Sequence, residues 1–192
     1  RSKQYVERPL ADVFADIRTA AADWPDAQRV FLADGDALAL PTEHLLAILR
    51  ELAARLPRLT RVSCYATPVN LARKSSEELV QLREHKLNLL YFGIESGSDL
   101  ILKKITKGAT QQRMVEVLQK AKDSGMKVSA TVILGLGGTT HSDAHIDGTI
   151  DLLNRAPVTY LSTLQLFLDD SVAEEFHRKF SEPFEMPDDL AI

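Results

Sequence analysis

An α/β fold on a mainly parallel sheet is what this sequence predicts, and two observations carry the prediction. Apolar residues switch repeatedly between helical spacing and short β-like runs, and five such runs are separated by segments long enough to hold a helix. Parallel neighbours need crossovers of about a dozen residues or more, usually helical, so the alternation reads as right-handed βαβ units.

In chain order, Pro9 opens a helical pattern whose apolar face is Leu10, Val13, Phe14 and Ile17, ending before Trp24-Pro25. Arg29 to Ala33 is a short apolar run closed by Asp34-Gly35-Asp36, a strand and its tight loop. Thr42 is a good N-cap for a helix carrying Leu45, Leu46, Leu49 and Leu52 as far as Pro57, and Arg61 to Ala66 is the next strand. Ser75 and Glu78 have capping-box spacing before a helix to about His85, followed by a strand over Asn88 to Gly93. Helices over Asp99 to Ile105 and Thr110 to Ser124 come next, the second stopped by Gly125. Lys127 to Leu134 is a β-branched strand running into Gly135-Leu136-Gly137-Gly138. A helix over Ser142 to Leu153 and a strand over Thr159 to Leu166 complete the series. The first helix has no strand before it and the chain starts at Arg1 rather than Met, so a preceding strand is expected outside this fragment.

Composition narrows the class. Of 192 residues 45% are hydrophobic and 26% charged, the balance of a globular protein rather than of a disordered, collagen-like or coiled-coil chain. No low-complexity tract, internal repeat or Pro/Gly linker divides it. No run approaches the ~20 apolar residues of a membrane span, and none sits behind a basic N-terminus as in a signal peptide, so no membrane partner and a cytoplasmic location are expected. The net charge of -4 gives no bulk attraction to nucleic-acid phosphates. Cys64, the one cysteine, rules out an internal disulfide and alone cannot build a thiolate zinc or iron-sulfur site. Its place within a strand reads as a small buried residue.

In parallel α/β folds ligands sit at the carboxyl ends of strands. Those ends carry Asp34-Gly35-Asp36, Tyr65-Ala66-Thr67-Pro68, Gly93-Ile94-Glu95-Ser96-Gly97 and Gly135-Leu136-Gly137-Gly138. Glycine beside polar or acidic groups lets a ligand approach the backbone closely, although glycine is also common in βα turns of no function. Elsewhere, His141 and His145 are spaced to share a helix face as in zinc sites, but without a third ligand a solvated helix start with Asp143 and Asp147 is the expectation. Arg73-Lys74 and Lys103-Lys104-Lys107 are able to gather an anion, yet short charge groups are usually solvated surface.

Four segments together, Val30 to Leu38, Phe92 to Asp99, Ile105 to Gly108 and Val132 to Gly138, carry a resemblance to radical S-adenosylmethionine (SAM) enzymes over nearly the whole chain. The branch it resembles contains the oxygen-independent coproporphyrinogen oxidases and tRNA methylthiotransferases. The resemblance implies a partial (β/α)6 TIM-like barrel, with residues 1–170 as the radical SAM core and 171–192 as a C-terminal extension. It implies a 4Fe-4S cluster that reduces SAM to methionine and a 5'-deoxyadenosyl radical, which then takes hydrogen from a substrate. A one-electron reductant such as a flavodoxin or ferredoxin is the implied partner. The family holds its cluster through a C-x3-C-x2-C loop after its first strand. No such loop occurs here, and Arg1 to Pro9 resembles what directly follows it. The fragment is therefore expected to be inactive alone.

Site roles follow from the same resemblance. Asp34-Gly35-Asp36-Ala37 stands where the family's Gly-Gly-Glu-Pro turn offers backbone carbonyls to the SAM ammonium; its departures leave the backbone role intact and side-chain roles open, with a helix N-cap aspartate as the alternative. Glu95, followed by Ser96, matches the polar residue that holds the ribose hydroxyls, and a carboxylate accepts two hydrogen bonds from a diol. Lys107 matches a basic residue that pairs with the methionine carboxylate, though without the bidentate fork of arginine. Gly135 matches a turn packed on adenine, Thr131 a polar position inside the preceding strand, and Ser63 with Tyr65 a strand that also touches SAM in relatives. A solvated turn for Glu95, a surface position for Lys107 and a steric requirement for Gly135 are the bland alternatives. Two rival classes remain at this level: a SAM- or nucleotide-binding scaffold without catalysis, and a barrel lyase or aldolase. Against the lyase, no lysine stands at a strand end where a Schiff base would form.

Overall fold

The computed structural model describes residues 6–180 and 184–187. The expected sequence following the cluster loop lies partly outside the described residues, at 1–5, as do 181–183 and 188–192 of the C-terminal extension. The elements are α1 (Leu10–Asp23), β1 (Arg29–Leu32), a 3-10 turn (Ala37–Ala39), α2 (Thr42–Arg55), β2 (Arg61–Ala66), α3 (Pro68–Arg73), α4 (Ser76–Glu84) and β3 (Leu87–Glu95). Then follow α5 (Asp99–Lys104), α6 (Gln111–Asp123), β4 (Lys127–Leu134), α7 (Ser142–Arg155), β5 (Tyr160–Gln165) and α8 (Asp170–Lys179). The five strands form one parallel sheet in the order β1-β2-β3-β4-β5, as the alternation of helix and strand predicts. Among the described residues β1 and β5 are its free edges, so the barrel is not closed.

Contacts divide the chain into two compact units, Arg1–Tyr91 with Ala121–Val128, and Phe92–Lys120 with Ser129–Ile192. In the first, β1 and β2 pair in register from Arg29↔Arg61 to Leu32↔Cys64, and α1 packs against α2. Leu45, Leu46, Leu49 and Leu52 are all buried on one face of α2, as their helical spacing requires. Each such leucine contributes about 1.5–3 kcal/mol by leaving water. Gly125 takes φ +75° after α6, the left-handed conformation that ends a helix cheaply only in glycine. A groove of about 690 Å³ beside β1, lined by Leu10, Val13, Ile17, Val30 and Leu32, reaches the Asp34–Asp36 turn.

Three local expectations are corrected. Thr42 is not the N-cap of α2: Pro41 holds that position, and the Thr42 hydroxyl donates to Glu78 Oε1 instead. Lys74 is not solvated: it is buried, its Nζ donating to the Leu40 carbonyl at 2.6 Å and to Thr42 Oγ1 at 3.1 Å, and burial lowers its pKa. These contacts staple α2 to α4. The Ser75–Glu78 capping box is present, with both reciprocal hydrogen bonds. The third correction is His145, which is 5% exposed rather than solvated.

In the second unit, β4 and β5 pair from Ser129↔Tyr160 to Leu134↔Gln165. Phe92, Ile94, Ile101, Leu102, Ala130 and Val132 are buried. Residues of the extension pack here: Phe176, Phe180 and Phe184 meet with ring centroids 4.9–5.0 Å apart, and the Glu185 carbonyl accepts the Thr139 N–H at 2.9 Å. Among the described residues no helix is long and apolar enough to cross a membrane.

Candidate functional site

The first unit carries Asp34, Gly35, Asp36 and Ser63. Asp34 follows β1 at φ +61°, a conformation that costs an L-residue roughly 1–2 kcal/mol and so is held in place by its surroundings. Gly35 leaves open space, for a Cβ built there meets nothing within 4 Å. Asp36 turns inward. Its Oδ2 accepts from Asn70 Nδ2 at 2.6 Å, while Oδ1 is buried with no hydrogen-bond partner. The sequence reading missed Asn70, and a signal for it was present: Thr67 caps α3 by accepting the Asn70 N–H at 3.3 Å, with Pro68 at the first helical position. Ser63 is buried and its hydroxyl donates to the Val30 carbonyl at 3.3 Å. Tyr65, 53% exposed, meets Phe31 edge to face at 4.9 Å, and Tyr91 joins them at 5.3 Å from Phe31. Cys64 is buried as expected, and burial, helped by Asp36, pushes its thiol up to about 12.

The second unit carries Glu95, Ser96, Lys107, Thr131 and Gly135. Glu95 ends β3 at φ +63°. Its carboxylate folds back over Gly93: a Cβ at Gly93 would lie 2.1 Å from Glu95 Oε1 and 3.1 Å from Lys107 Nζ. Gly93 is thus the seat of an ion pair, in which Lys107 Nζ donates to Glu95 Oε1 at 3.0 Å with both side chains about one-fifth exposed. The residues assigned to opposite ends of one ligand are neighbours here. Ser96 is fully buried; its Oγ accepts the Ser98 N–H at 3.1 Å and stands 2.8 Å from His145 Nδ1. Gly97 crosses Gly148 so closely that a Cβ on it would lie 2.1 Å from the Gly148 carbonyl oxygen, and its N–H donates to Thr149 Oγ1 at 3.0 Å. Thr131 is half-buried on β4, and Gly135 follows that strand at φ +78°. Pro187 and Met186 lie 3.7 and 3.8 Å from where a Gly135 Cβ would stand. Since β3 and β4 are parallel neighbours, Glu95 and Gly135 stand at the same edge of the sheet.

Of the cationic and histidine groups weighed from sequence, Lys104 places Nζ 4.9 Å over the Phe180 ring. Among the described residues no group of three His, Cys, Asp or Glu is arranged to hold a metal ion.

The described strands thus form a parallel α/β sheet with acidic and glycine-bearing turns at strand ends. The sequence profile of the radical SAM superfamily matches residues 1–153, and the chain belongs to that superfamily. It is 25% identical over 146 residues to the heme chaperone HemW of Bacillus subtilis, a match covering 76% of this chain and 38% of that protein. It is 34% identical over 68 residues to a protein of Methanocaldococcus jannaschii named as a methylthiotransferase, covering 35% of this chain and 15% of that one. The fold is similar to that of coproporphyrinogen III oxidase (HemN) from Escherichia coli, with a TM-score of 0.71 at 14% identity over 96% of this chain and 44% of that one. The chain thus spans less than half the length of each of these proteins.

Proposed function

We propose that this chain is the SAM-binding core of a radical SAM enzyme. The observation that carries the reading is the Glu95 carboxylate, held in a left-handed turn at the end of β3 on a glycine seat, within a chain matched by the superfamily profile. Strained backbone is retained where the surroundings over-determine it, and that is common at ligand sites.

The residues present fit SAM. The unpartnered, buried Asp36 Oδ1 requires a donor, and leaving such an atom unmet costs about 1–3 kcal/mol. An ammonium group answers it, so the role of the Asp34–Asp36 turn extends to the Asp36 side chain. Glu95 takes the ribose hydroxyls. Lys107 takes the methionine carboxylate, for which it must exchange its present partner, so ligand binding at this point is an ion-pair exchange rather than a capture by a free cation. In this reading Gly135 takes adenine, with Thr131 on the strand before it, whereas Ser63 and Ser96 support their strands and turns through hydroxyls already bonded.

The residues of this chain do not fit the cluster, whose ligands we assign to sequence outside it: the chain has one cysteine, Cys64, and it is buried within β2, where a C-x3-C-x2-C loop needs three. When bound, the cluster supplies the electron for SAM cleavage, and the protein supplies position. The test uses the full-length protein, reduced and kept anaerobic. It should convert SAM to methionine and 5'-deoxyadenosine, and its coding region should carry C-x3-C-x2-C within about ten residues of Arg1, a short βα-loop length. Fewer than three cysteines there, with SAM bound but uncleaved, would transfer the chain to the scaffold reading.

A further inference from the structure

His145 lies on α7, outside every motif that carries the family resemblance, yet it is buried at the centre of a polar network. Its Nδ1 is 2.8 Å from Ser96 Oγ. Ser96 Oγ accepts the Ser98 N–H, which leaves its own hydroxyl proton to donate to Nδ1 of the neutral ring. Burial lowers the pKa of His145, favouring that neutral form. Thr149, one turn further along α7, repeats the pattern: its Oγ1 accepts the Gly97 N–H and donates to the His145 carbonyl at 2.6 Å.

The segment so bound is Ser96 to Ser98, immediately after Glu95 with its φ of +63°. Left-handed backbone at a glutamate costs roughly 1–2 kcal/mol. The Ser96 N–H bonds back across Glu95 to the Ile94 carbonyl at 2.8 Å, the Glu95 carboxylate is engaged with Lys107, and the residues that follow are held from α7. We propose that His145 is the positioning residue of the Glu95 turn, holding it through Ser96 from α7, which also binds Gly97 through Thr149. The functional part of this rests on the reading of Glu95 as a SAM ligand.

Two near-isosteres separate the two nitrogens of the ring. An asparagine amide reaches the place of Nδ1, and a glutamine amide reaches the place of Nε2. In the full-length protein, His145→Asn should therefore keep the Ser96 contact and His145→Gln should lose it. Hydrogen exchange of the Gly97 and Ser98 amides, measured without ligand, should stay near wild type in His145→Asn and quicken about tenfold or more in His145→Gln, the size of one lost buried hydrogen bond. SAM affinity measured by calorimetry should fall about tenfold in His145→Gln and stay within about twofold in His145→Asn, at matched melting temperatures. Ser96→Ala, a smaller change, should reproduce the glutamine phenotype and carries the comparison if His145→Gln does not fold. Equal exchange and equal affinity in the two His145 variants would overturn the proposal. An exchange split in a wild-type protein that binds no SAM would leave the positioning of the turn established and sink the ligand reading of Glu95 instead.

Discussion

Asp34 and Glu95 end different strands in nearly the same left-handed conformation, φ +61° and +63°, but their turns are supported in opposite ways. The Asp34 turn is open. Gly35 faces space, and the one side-chain anchor is Asp36 on Asn70, with a carboxylate oxygen left over. The Glu95 turn is closed, for Ser96 is bound by His145, Gly97 by Thr149 and Ser98 by Ser96, Gly97 is wedged on Gly148, and Glu95 itself is paired with Lys107. One turn has unmet bonding capacity, and the other has its geometry fixed in advance. A ligand arriving at the first completes it, whereas at the second it must displace an existing partner.

The largest effect that would break this contrast is at the glycines. Gly97→Ala drives a methyl into the Gly148 backbone and should destabilise by about 3 kcal/mol, lowering the melting temperature by roughly 6–12 °C for a chain of this size. Gly35→Ala meets no atom and should lose only about 1 kcal/mol, through its backbone conformation. Equal losses in thermal denaturation would erase the distinction. Next in size is strain relief. Asp34→Gly should gain up to about 1 kcal/mol, since what it gives up is an exposed charge interaction with Arg8. Glu95→Gly should show no gain, since it also loses the Lys107 pair.

Smaller still is a pH effect confined to the closed turn. His145 has a folded pKa below its ordinary value of 6.5, so the unfolded chain binds more protons as pH falls below 6.5. Its contribution to stability is present above that pH and is lost on acidification. Denaturant titrations from pH 7.5 to 5 should show a shallower decline in His145→Asn than in wild type. Cys64 acts at the other end of the scale: with a thiol pKa of about 12, it should resist thiol reagents in the native protein near pH 8 and react on unfolding.

These turns also show how far the sequence is legible. Elements defined by local pattern were readable to the residue: β4 as Lys127–Leu134, β2 as Arg61–Ala66, and the Ser75–Glu78 capping box. Two helices were missed. Six-residue α3 has too few turns for a periodic signal, although Thr67-Pro68 marks its start, and α8 falls almost wholly in the segment read only as a C-terminal extension. The strand-end positions of Asp34, Glu95 and Gly135 were legible because each follows an apolar run. His145, Lys74 and the Thr42 hydroxyl were not, because their partners lie 32 to 49 residues away in the chain and no local spacing records them. Their polar character argued for the surface, and only tertiary hydrogen bonds made burial affordable.

The central claim, that these turns bind SAM, is tested most directly by calorimetry of SAM binding to the full-length, cluster-loaded protein, comparing wild type with Asp36→Ala and Glu95→Ala. The account predicts one SAM per chain in wild type and losses of about tenfold or more in each variant, the size of one or two charge-assisted hydrogen bonds. Wild-type affinity retained by both variants would contradict it.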